Sequence, residues 1–367
     1  MVSKAQNLRT FMLMIHLLAT SVVALLAQDT PLSLTVLDEY SIPSSTTREG
    51  ILFGGISGIS YDSESNLYYA ISDDRAERGP LRFYTLSITI DEASIQAVEI
   101  MDMITLMDVD NSEFGANAAD PEAIRFLPNS QTILWASEKD RRGNTPLLRE
   151  ASLDGNFVRD YTIPDIFVRS GGNHGIQENS AFEAMDVSPD ESTIIIGTES
   201  ALMQDGEPST IDTGSPSRIW LIDRETDETI AQYVYPLEAI PVEATLPPYS
   251  EDNGLSELVY VDETHFIAIE RSFALGYGNT INIYLANLAG ATDVQAFDSI
   301  EGMDFVAITK THLLTLNEET DGIDVDNIEG ATWGPTIDGQ RTLLLISDNN
   351  FNPVAQPYTE IILLAVD

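Results

Sequence analysis

One short pattern of apolar runs and carboxylates recurs five times in this sequence, and it constrains the fold more than any other feature. Each copy opens with a small or acidic residue next to an apolar one, passes through a turn, and ends a second apolar run on a carboxylate. The five copies lie at 57–75, 121–140, 182–200, 255–271 and 328–350. Such recurrence is typical of proteins that pack several copies of one supersecondary unit side by side.

Carboxylates occupy matching places in the copies. The residues that open the copies are Ser57 with Gly58 in the first, divergent copy, and then Glu122, Glu183, Glu257 and Glu329. The residues that close them are Asp73, Glu138, Glu199, Glu270 and Asp348. We therefore expect two sets of equivalent acidic positions, one at the start of each unit and one at the end of the strand that follows.

The runs around each copy predict an all-β protein. Each group contains three or four short β-runs and is roughly 60–70 residues long, which is typical of a β-propeller. The repeat count predicts five blades, and an additional hairpin at 304–317 leaves room for a sixth. Residues 32–42 and 358–366 are expected to pair and close the ring. A pair of β-sandwiches is the alternative, but it would not explain why the same carboxylates recur.

The charge of the chain excludes some classes of partner. The sequence has 367 residues, no cysteine, and a formal net charge of −41 at pH 7. Such a field repels nucleic acid and anionic membranes, so we expect neither as a partner. The same field attracts divalent cations, and it also suits a protein that must stay soluble in a saline habitat.

The first residues have the pattern of a secretory signal. Lys4 and Arg9 precede an apolar run, and small residues at 24–27 offer a cleavage site before Gln28. We expect 1–27 to be removed, leaving 28–367 as a single domain of a secreted or periplasmic protein. The alternative is an uncleaved anchor, although the apolar run is short for a spanning helix of roughly 20 residues.

The ring geometry of a propeller suggests a metal site. Equivalent positions on the inner strands surround the central channel, where several carboxylates stay ionised only if a cation lies among them. Carboxylate oxygens without Cys or His partners favour Ca²⁺ over Mg²⁺. The predicted metal ligands are Glu122, Glu183, Glu257, Glu329, Asp73 and Asp348. The predicted catalytic residues are Glu138, Glu183 and Glu199.

Basic residues are scarce, and three of them follow closing acids. Arg75, Lys139 and Arg271 each lie one or two positions after such an acid. They are equally consistent with ion pairs that hold the blade ends and with groups that bind a phosphate or carboxylate. Under the second interpretation they bind a small anionic ester substrate.

Several motifs resemble those of the phytase-like family, whose domain is described as having esterase-like activity of phytase. The motifs are GGISGISYD (54–62), YAISDDR (69–75), DPEAIRF (120–126), ASEKD (136–140), FEAM (182–185), TESAL (198–202), AIERSF (268–273), NIEGATWGP (327–335) and LLLISDNNF (343–351). The resemblance covers roughly residues 50–366, and Ala184 and Ala123 stand where the family more often has glycine after the glutamate.

The resemblance implies an exported β-propeller that hydrolyses a phosphoester or ester. Two other functions fit the same residues. One is a non-enzymatic propeller that binds a ligand or partner, with the carboxylates as a structural calcium ring. The other is a lactonase-type propeller in which one axial calcium polarises a lactone carbonyl. Membership of a family does not establish chemistry, so the site must decide.

Overall fold

The computed structural model describes residues 32–139, 143, 145–317 and 323–367. Within these residues the regular structure is almost entirely β-strand, with one 3₁₀ turn at Asp165–Phe167. None of the described helical segments is long and apolar enough to cross a membrane. The predicted signal segment, 1–27, lies outside the described residues and stays a prediction.

In the described part of the chain, the strands form five four-stranded sheets and one short hairpin. Strand β1 spans Leu34–Pro43, and the hairpin consists of β2 (Thr47–Arg48) and β3 (Ile51–Leu52). Blade one contains β4 (Ile56–Asp62), β5 (Leu67–Ser72), β6 (Arg82–Asp91) and β7 (Ser94–Thr105). Blade two contains β8 (Pro121–Leu127), β9 (Thr132–Ser137), β10 (Leu147–Ser152) and β11 (Phe157–Asp160).

The remaining strands complete the set. Blade three contains β12 (Phe182–Val187), β13 (Thr193–Ala201), β14 (Pro216–Asp223) and β15 (Glu228–Pro236). Blade four contains β16 (Glu251–Tyr260), β17 (His265–Ala274), β18 (Gly278–Asn287) and β19 (Thr309–Asn317). Blade five contains β20 (Asn327–Trp333), β21 (Arg341–Asp348) and β22 (Tyr358–Val366), with β1 as its outer strand.

The first strand of each blade lies innermost, and the five inner strands form a closed ring. Contacts run from β4 to β8, β12, β16, β20 and back to β4. Strand β1 pairs antiparallel with β22, from Leu34 opposite Val366 to Pro43 opposite Tyr358. The predicted five-bladed propeller and its closure are therefore confirmed. The hairpin expected at 304–317 forms no sixth blade, because β19 is the outer strand of blade four.

Each interface between neighbouring blades has its own hydrophobic core. Successive side chains on a strand point to opposite faces, so one strand contributes to two cores. In β21, Leu343 and Leu345 pack against blade four, whereas Leu344 and Ile346 pack against blade one. This explains why the second strand of each blade has a continuous apolar run instead of an alternating one: both faces of each blade are buried.

Every inner strand carries a β-bulge near the same end of the ring. The pairing register skips one residue in each strand, and that residue is Ser57, Glu122, Glu183, Ser256 or Glu329. A bulge re-aims the side chain of the unpaired residue. The expected equivalence of Glu257 with the other opening glutamates is wrong, because Ser256 holds the bulge position in blade four.

Candidate functional site

A pocket of about 730 Å³ lies over the bulges at one end of the ring, which we call the mouth. Residues of all five blades line it, including ten carboxylates and two guanidinium groups. Six of the predicted site acids are brought together here: Asp73, Glu122, Glu183, Glu199, Glu329 and Asp348. Two of the predicted basic residues, Arg75 and Arg271, join them.

Three of these acids are themselves the bulge residues of their inner strands. Glu122, Glu183 and Glu329 are the unpaired bulge residues of blades two, three and five, and each side chain faces the pocket. In a regular strand the neighbouring residues would alternate between the two interblade cores. The bulge instead turns a carboxylate toward the axis without placing it in an apolar core.

The second set of acids lies on the second strand of each blade, beside the bulge of the inner strand. The amide nitrogen of Asp73 donates to the carbonyl oxygen of Gly55 at 2.7 Å, and that of Glu199 donates to Ala181 at 2.8 Å. The pairing of Asn327 with Asp348 puts Asp348 in the same position of blade five. The opening and closing acids therefore form two adjacent layers around the mouth.

Two glycines make room for these acids. A Cβ atom on Gly55 would lie 2.0 Å from Oδ1 of Asp73, and Gly55 has a φ of +61°, which favours glycine. A Cβ atom on Gly254 would lie 2.4 Å from Cγ of Glu199. The glycines are thus required by the close approach of a carboxylate, not by a turn alone.

Burial and mutual repulsion raise the pKa values of the mouth acids. Burial, followed by the charge of Asp120, raises the pKa of Asp73 to about 6. Burial raises the pKa of Glu329 to about 8, although Arg271 opposes the shift. The pKa values of Glu122 and Asp348 lie well above the usual range because of burial and neighbouring carboxylates. Without a cation, the ring therefore retains protons near neutral pH.

Glu183 and Glu199 are neighbouring carboxyl groups whose charges interact. Burial and the charge of Glu199 hold the pKa of Glu183 well above its usual range. Burial also raises the pKa of Glu199, but Arg271 Nη2, 3.1 Å from Glu199 Oε1, favours its ionised form. Two carboxyl groups with such different surroundings can divide the roles of proton donor and acceptor.

Glu138, the third predicted catalytic residue, lies behind the pocket wall. Its side chain is buried and Oε1 accepts a hydrogen bond from the amide of Ala181 at 2.9 Å. Burial raises its pKa to about 7. The carboxylate of Glu138 lies close to those of Asp120 and Glu122, and one oxygen of each is within 4.8 Å of the others. Glu138 is thus placed to support a cation and less well placed to touch a substrate.

Asp120 is a member of this group that the repeat pattern did not single out. It is almost completely buried and pairs with Arg75 Nε at 2.5 Å and with Lys139 Nζ at 3.2 Å. Asp120 occupies the strand position that Gly55 and Gly254 occupy in blades one and four. In each of these blades the position lies two residues before the bulge residue. Alignment on the bulge, instead of on the acids, would have identified it.

Arg75, Lys139 and Arg271 differ in their surroundings. Arg75 and Lys139 share Asp120, and Arg75 also donates to the side chain of Asn179 at 3.1 Å. Lys139 does not line the pocket. Arg271 lies between Glu199 at 3.1 Å and Asp252 at 3.5 Å. Arg75 and Lys139 are thus both paired with Asp120, while Arg75 and Arg271 also face the pocket.

Glu257 does not lie with the other predicted metal ligands. Its Oε1 is 2.8 Å from Arg125 Nη2, and it also accepts hydrogen bonds from the amides of Met185, Leu258 and Ala331. Arg125 Nε pairs with Asp186 at 2.9 Å. These three side chains fill the axis below the mouth. The one-residue difference in register places Glu257 in this central ion pair.

The same register difference moves Glu270 away from the mouth. Glu270 pairs with Leu255, so it corresponds to Ser72, Ser137 and Ser347 in other blades, and Arg271 takes the closing position. Its carboxylate is bound by Tyr235 Oη at 2.9 Å and Lys310 Nζ at 2.5 Å. The expected equivalence of Glu270 with the closing acids is therefore wrong.

The mouth acids suit a hard divalent cation. All donors are carboxylate oxygens, which Ca²⁺ and Mg²⁺ prefer. Oδ1 of Asp73 is buried and has no hydrogen-bond donor, and burial leaves the carboxyl groups poorly solvated. The residues that could hold the ion are Asp73, Glu122, Glu183, Glu329 and Asp348. Asp324 and Asp326, on the loop before β20, add further carboxylates at the rim.

Comparison with known proteins gives one family match. The family model described as phytase-like, esterase-like activity of phytase, matches residues 51–351. A search of curated proteins found no match.

Two solved structures align weakly with the chain. Hydrazine synthase of Kuenenia stuttgartiensis aligns with a TM-score of 0.35 and 11% identity, over 88% of this chain and 65% of that chain. This chain thus spans slightly less than two thirds of that protein's chain. The Dos1 propeller aligns with a TM-score of 0.35 and 8% identity, over 84% of this chain and 68% of that chain. Neither score supports a conclusion about activity.

Proposed function

The chain belongs to the phytase-like family, and from that premise we propose that it is a calcium-dependent hydrolase of small anionic phosphoesters or esters. The observation that carries the proposal is the convergence of six carboxylates from four blades on one pocket that also contains Arg75 and Arg271. So many acids around one polar pocket suit a bound cation and an anionic substrate held next to it.

Calcium, when bound by Asp73, Glu122, Glu329 and Asp348, would offset their charge and polarise the ester group. The chain's own residues supply the remaining chemistry. Glu199 accepts a proton from the attacking water, whose oxygen forms a bond to phosphorus or to the acyl carbon. The ester bond breaks as the proton held by Glu183 passes to the leaving oxygen. Arg271 orients Glu199 through their ion pair.

The experiment combines metal analysis with hydrolysis assays. The purified chain is loaded with calcium, its bound metal is measured, and it is tested on p-nitrophenyl phosphate, p-nitrophenyl acetate and a lactone, with and without a chelator. Hydrolysis that the chelator abolishes supports the proposal, and the substrate panel separates phosphoesterase, esterase and lactonase activity. A calcium-loaded protein that hydrolyses none of them contradicts it.

Variants test the residues. Glu183→Gln is expected to reduce hydrolysis by at least roughly 100-fold, the effect typical of losing a general acid. Glu329→Gln is expected to lower the bound calcium and, with it, the rate of hydrolysis. The exposed Glu228→Gln on the outer strand of blade three removes the same charge far from the mouth and is the matched control. Equal losses in all three variants would indicate a general effect of charge.

A structural calcium ring is a second candidate function. Asp73, Glu122, Glu183, Glu329 and Asp348 come from blades one, two, three and five, so one cation bound among them would join strands that are distant in the sequence. That favours a role in holding the ring together in a ligand-binding propeller. A large fall in melting temperature on chelation, in a protein without hydrolase activity, would support this function over the first.

We also propose that the protein is exported as 28–367 and acts outside the cytoplasm. The support is the pattern of residues 1–27 alone. N-terminal sequencing of the protein recovered from culture medium or periplasm tests it, with Gln28 as the expected first residue. Recovery of the uncleaved chain in the membrane fraction would favour an anchor instead.

A further inference from the structure

The closing ring position is acidic in four blades and basic in one. Register alignment places Asp73, Glu138, Glu199 and Asp348 in blades one, two, three and five, and Arg271 in blade four. Blade four also has Ser256 where three blades have a bulge glutamate. The mouth is therefore asymmetric, because blade four contributes a guanidinium and no carboxylate to the two layers of the ring.

The donor groups of Arg271 are only partly used. Nη2 lies 3.1 Å from Glu199 and 4.0 Å from Glu329, and Nη1 lies 3.5 Å from Asp252. Nε is buried and has no hydrogen-bond partner among the residues that the structure describes. A buried charged donor without an acceptor is costly, so it points to an acceptor that arrives with a ligand. The side chain is 12% exposed and lines the pocket.

The other basic residues that the structure describes near the mouth lack this feature. Arg75 Nε and Lys139 Nζ are both bound to Asp120, at 2.5 and 3.2 Å. Arg75 is 37% exposed, and Lys139 does not line the pocket. An incoming anion would have to compete with Asp120 for either group, whereas Nε of Arg271 has no competitor among the described residues.

We propose that Arg271 is the anion-binding and specificity-determining residue of the pocket, taking a phosphoryl or carboxylate oxygen of the substrate at the blade-four side. This rests on the proposed function. Arginine presents its donors in a planar fork that matches two oxygens of a phosphate or carboxylate. Because Glu199, Asp252 and Glu329 surround the guanidinium, a cation that offsets the mouth acids strengthens binding of the anion.

The test is binding of methylphosphonate, which has no ester bond to cleave, to the calcium-loaded full chain by calorimetry. Arg271→Gln is expected to weaken binding at least tenfold. Arg271→Lys keeps the charge but loses the fork, and it is also expected to weaken binding severalfold. Arg341→Gln, at the opposite end of β21 where Arg341 packs on Trp333, is the matched control and is expected to bind like the wild type.

The outcomes separate this inference from the proposed function. Lys139→Gln or Arg75→Gln weakening binding while Arg271→Gln does not would overturn it, as would a calcium-loaded wild type that does not bind methylphosphonate. Circular dichroism and the calcium-induced thermal shift show whether each variant is folded and loaded, and an unfolded Arg271→Gln is replaced by Arg271→Lys.

If the wild type takes up no calcium, the proposed function fails. In that case, methylphosphonate binding that depends on Arg271 would support the anion-binding role of Arg271 without the proposed function. Methylphosphonate binding that does not depend on Arg271 would overturn that role.

Discussion

Replacing Arg125 by methionine tests the ion pair that fills the propeller axis. Arg125 is 4% exposed and pairs with Asp186 at 2.9 Å and Glu257 at 2.8 Å, and its remaining donors bond the carbonyl oxygens of Ile59, Ile124 and Leu258. Removing one partner of a buried ion pair costs about 3–5 kcal/mol, because the other charge is left unpaired. For a domain of this size, that corresponds to a fall in Tm of roughly 4–7 °C.

The deficit of Arg125→Met should depend on pH. Burial raises the pKa of Glu257 to about 7 from its ordinary 4.5, and Arg125 opposes the rise. Without Arg125, the folded-state pKa moves higher still, while the unfolded value is unchanged. Above pH 7, folded Glu257 then holds a proton in the variant but not in the wild type. The deficit therefore grows with pH, by up to about 1.4 kcal/mol per unit.

Urea unfolding of the full chain at about pH 6.5 and 8.5 measures both effects. The double variant Arg125→Met with Glu257→Gln should recover part of the stability and lose the additional pH dependence. The control is Arg48→Met, which breaks a solvent-exposed pair with Asp102 and should cost no more than about 1 kcal/mol. An Arg125→Met variant as stable as this control at both pH values would refute the reasoning.

Three further predictions concern the mouth and the ring. The folded-state pKa values of Glu138 and Glu329 are raised to about 7 and about 8, so metal-free protein binds protons on folding. Its Tm should therefore fall as the pH rises from about 5.5 to 8.5, and calcium should oppose the fall; a metal-free Tm that rises contradicts this. Gly254→Ala puts a Cβ atom against Glu199, the proposed proton acceptor, and should reduce the rate of hydrolysis severalfold, whereas Gly115→Ala, with open space around it, should not. Deletion of β1 leaves the edge of β22 unpaired and should broaden the thermal transition in circular dichroism; an unchanged sharp melt would argue against closure by β1.

The fold could be predicted from the sequence because the repeat pattern follows directly from propeller geometry. Each unit must supply one inner strand and bury both faces of its sheet, and this produces continuous apolar runs at a regular spacing. Closure by 32–42 and 358–366 could also be predicted, since an unpaired edge strand is unfavourable. The hairpin at 304–317 was ambiguous, because β19 is separated from β18 by a long connection.

The site could be predicted only in part. The sequence shows which residues are acidic, but it does not show their register in the sheet, and the register decides which acids reach the mouth. In blade four, Glu257 follows the bulge residue Ser256 by one position, and the apolar residues around it look the same in either frame. Only the hydrogen-bond pairing distinguishes them. Asp120 was missed for the same reason. The role of Arg125 was hidden because a single arginine inside an apolar strand gives no indication of its partners.

Blade five is assembled from both ends of the propeller sequence. Leu34 pairs with Val366, and the side chain of Ser41 bonds that of Glu360, 319 residues away. Contacts that far apart form late, because bringing the segments together has a large entropic cost. A growing chain therefore carries an exposed edge on β21 until 358–366 has been synthesised, and during that interval two nascent copies can pair with each other. High expression should consequently favour aggregates that share this blade between molecules.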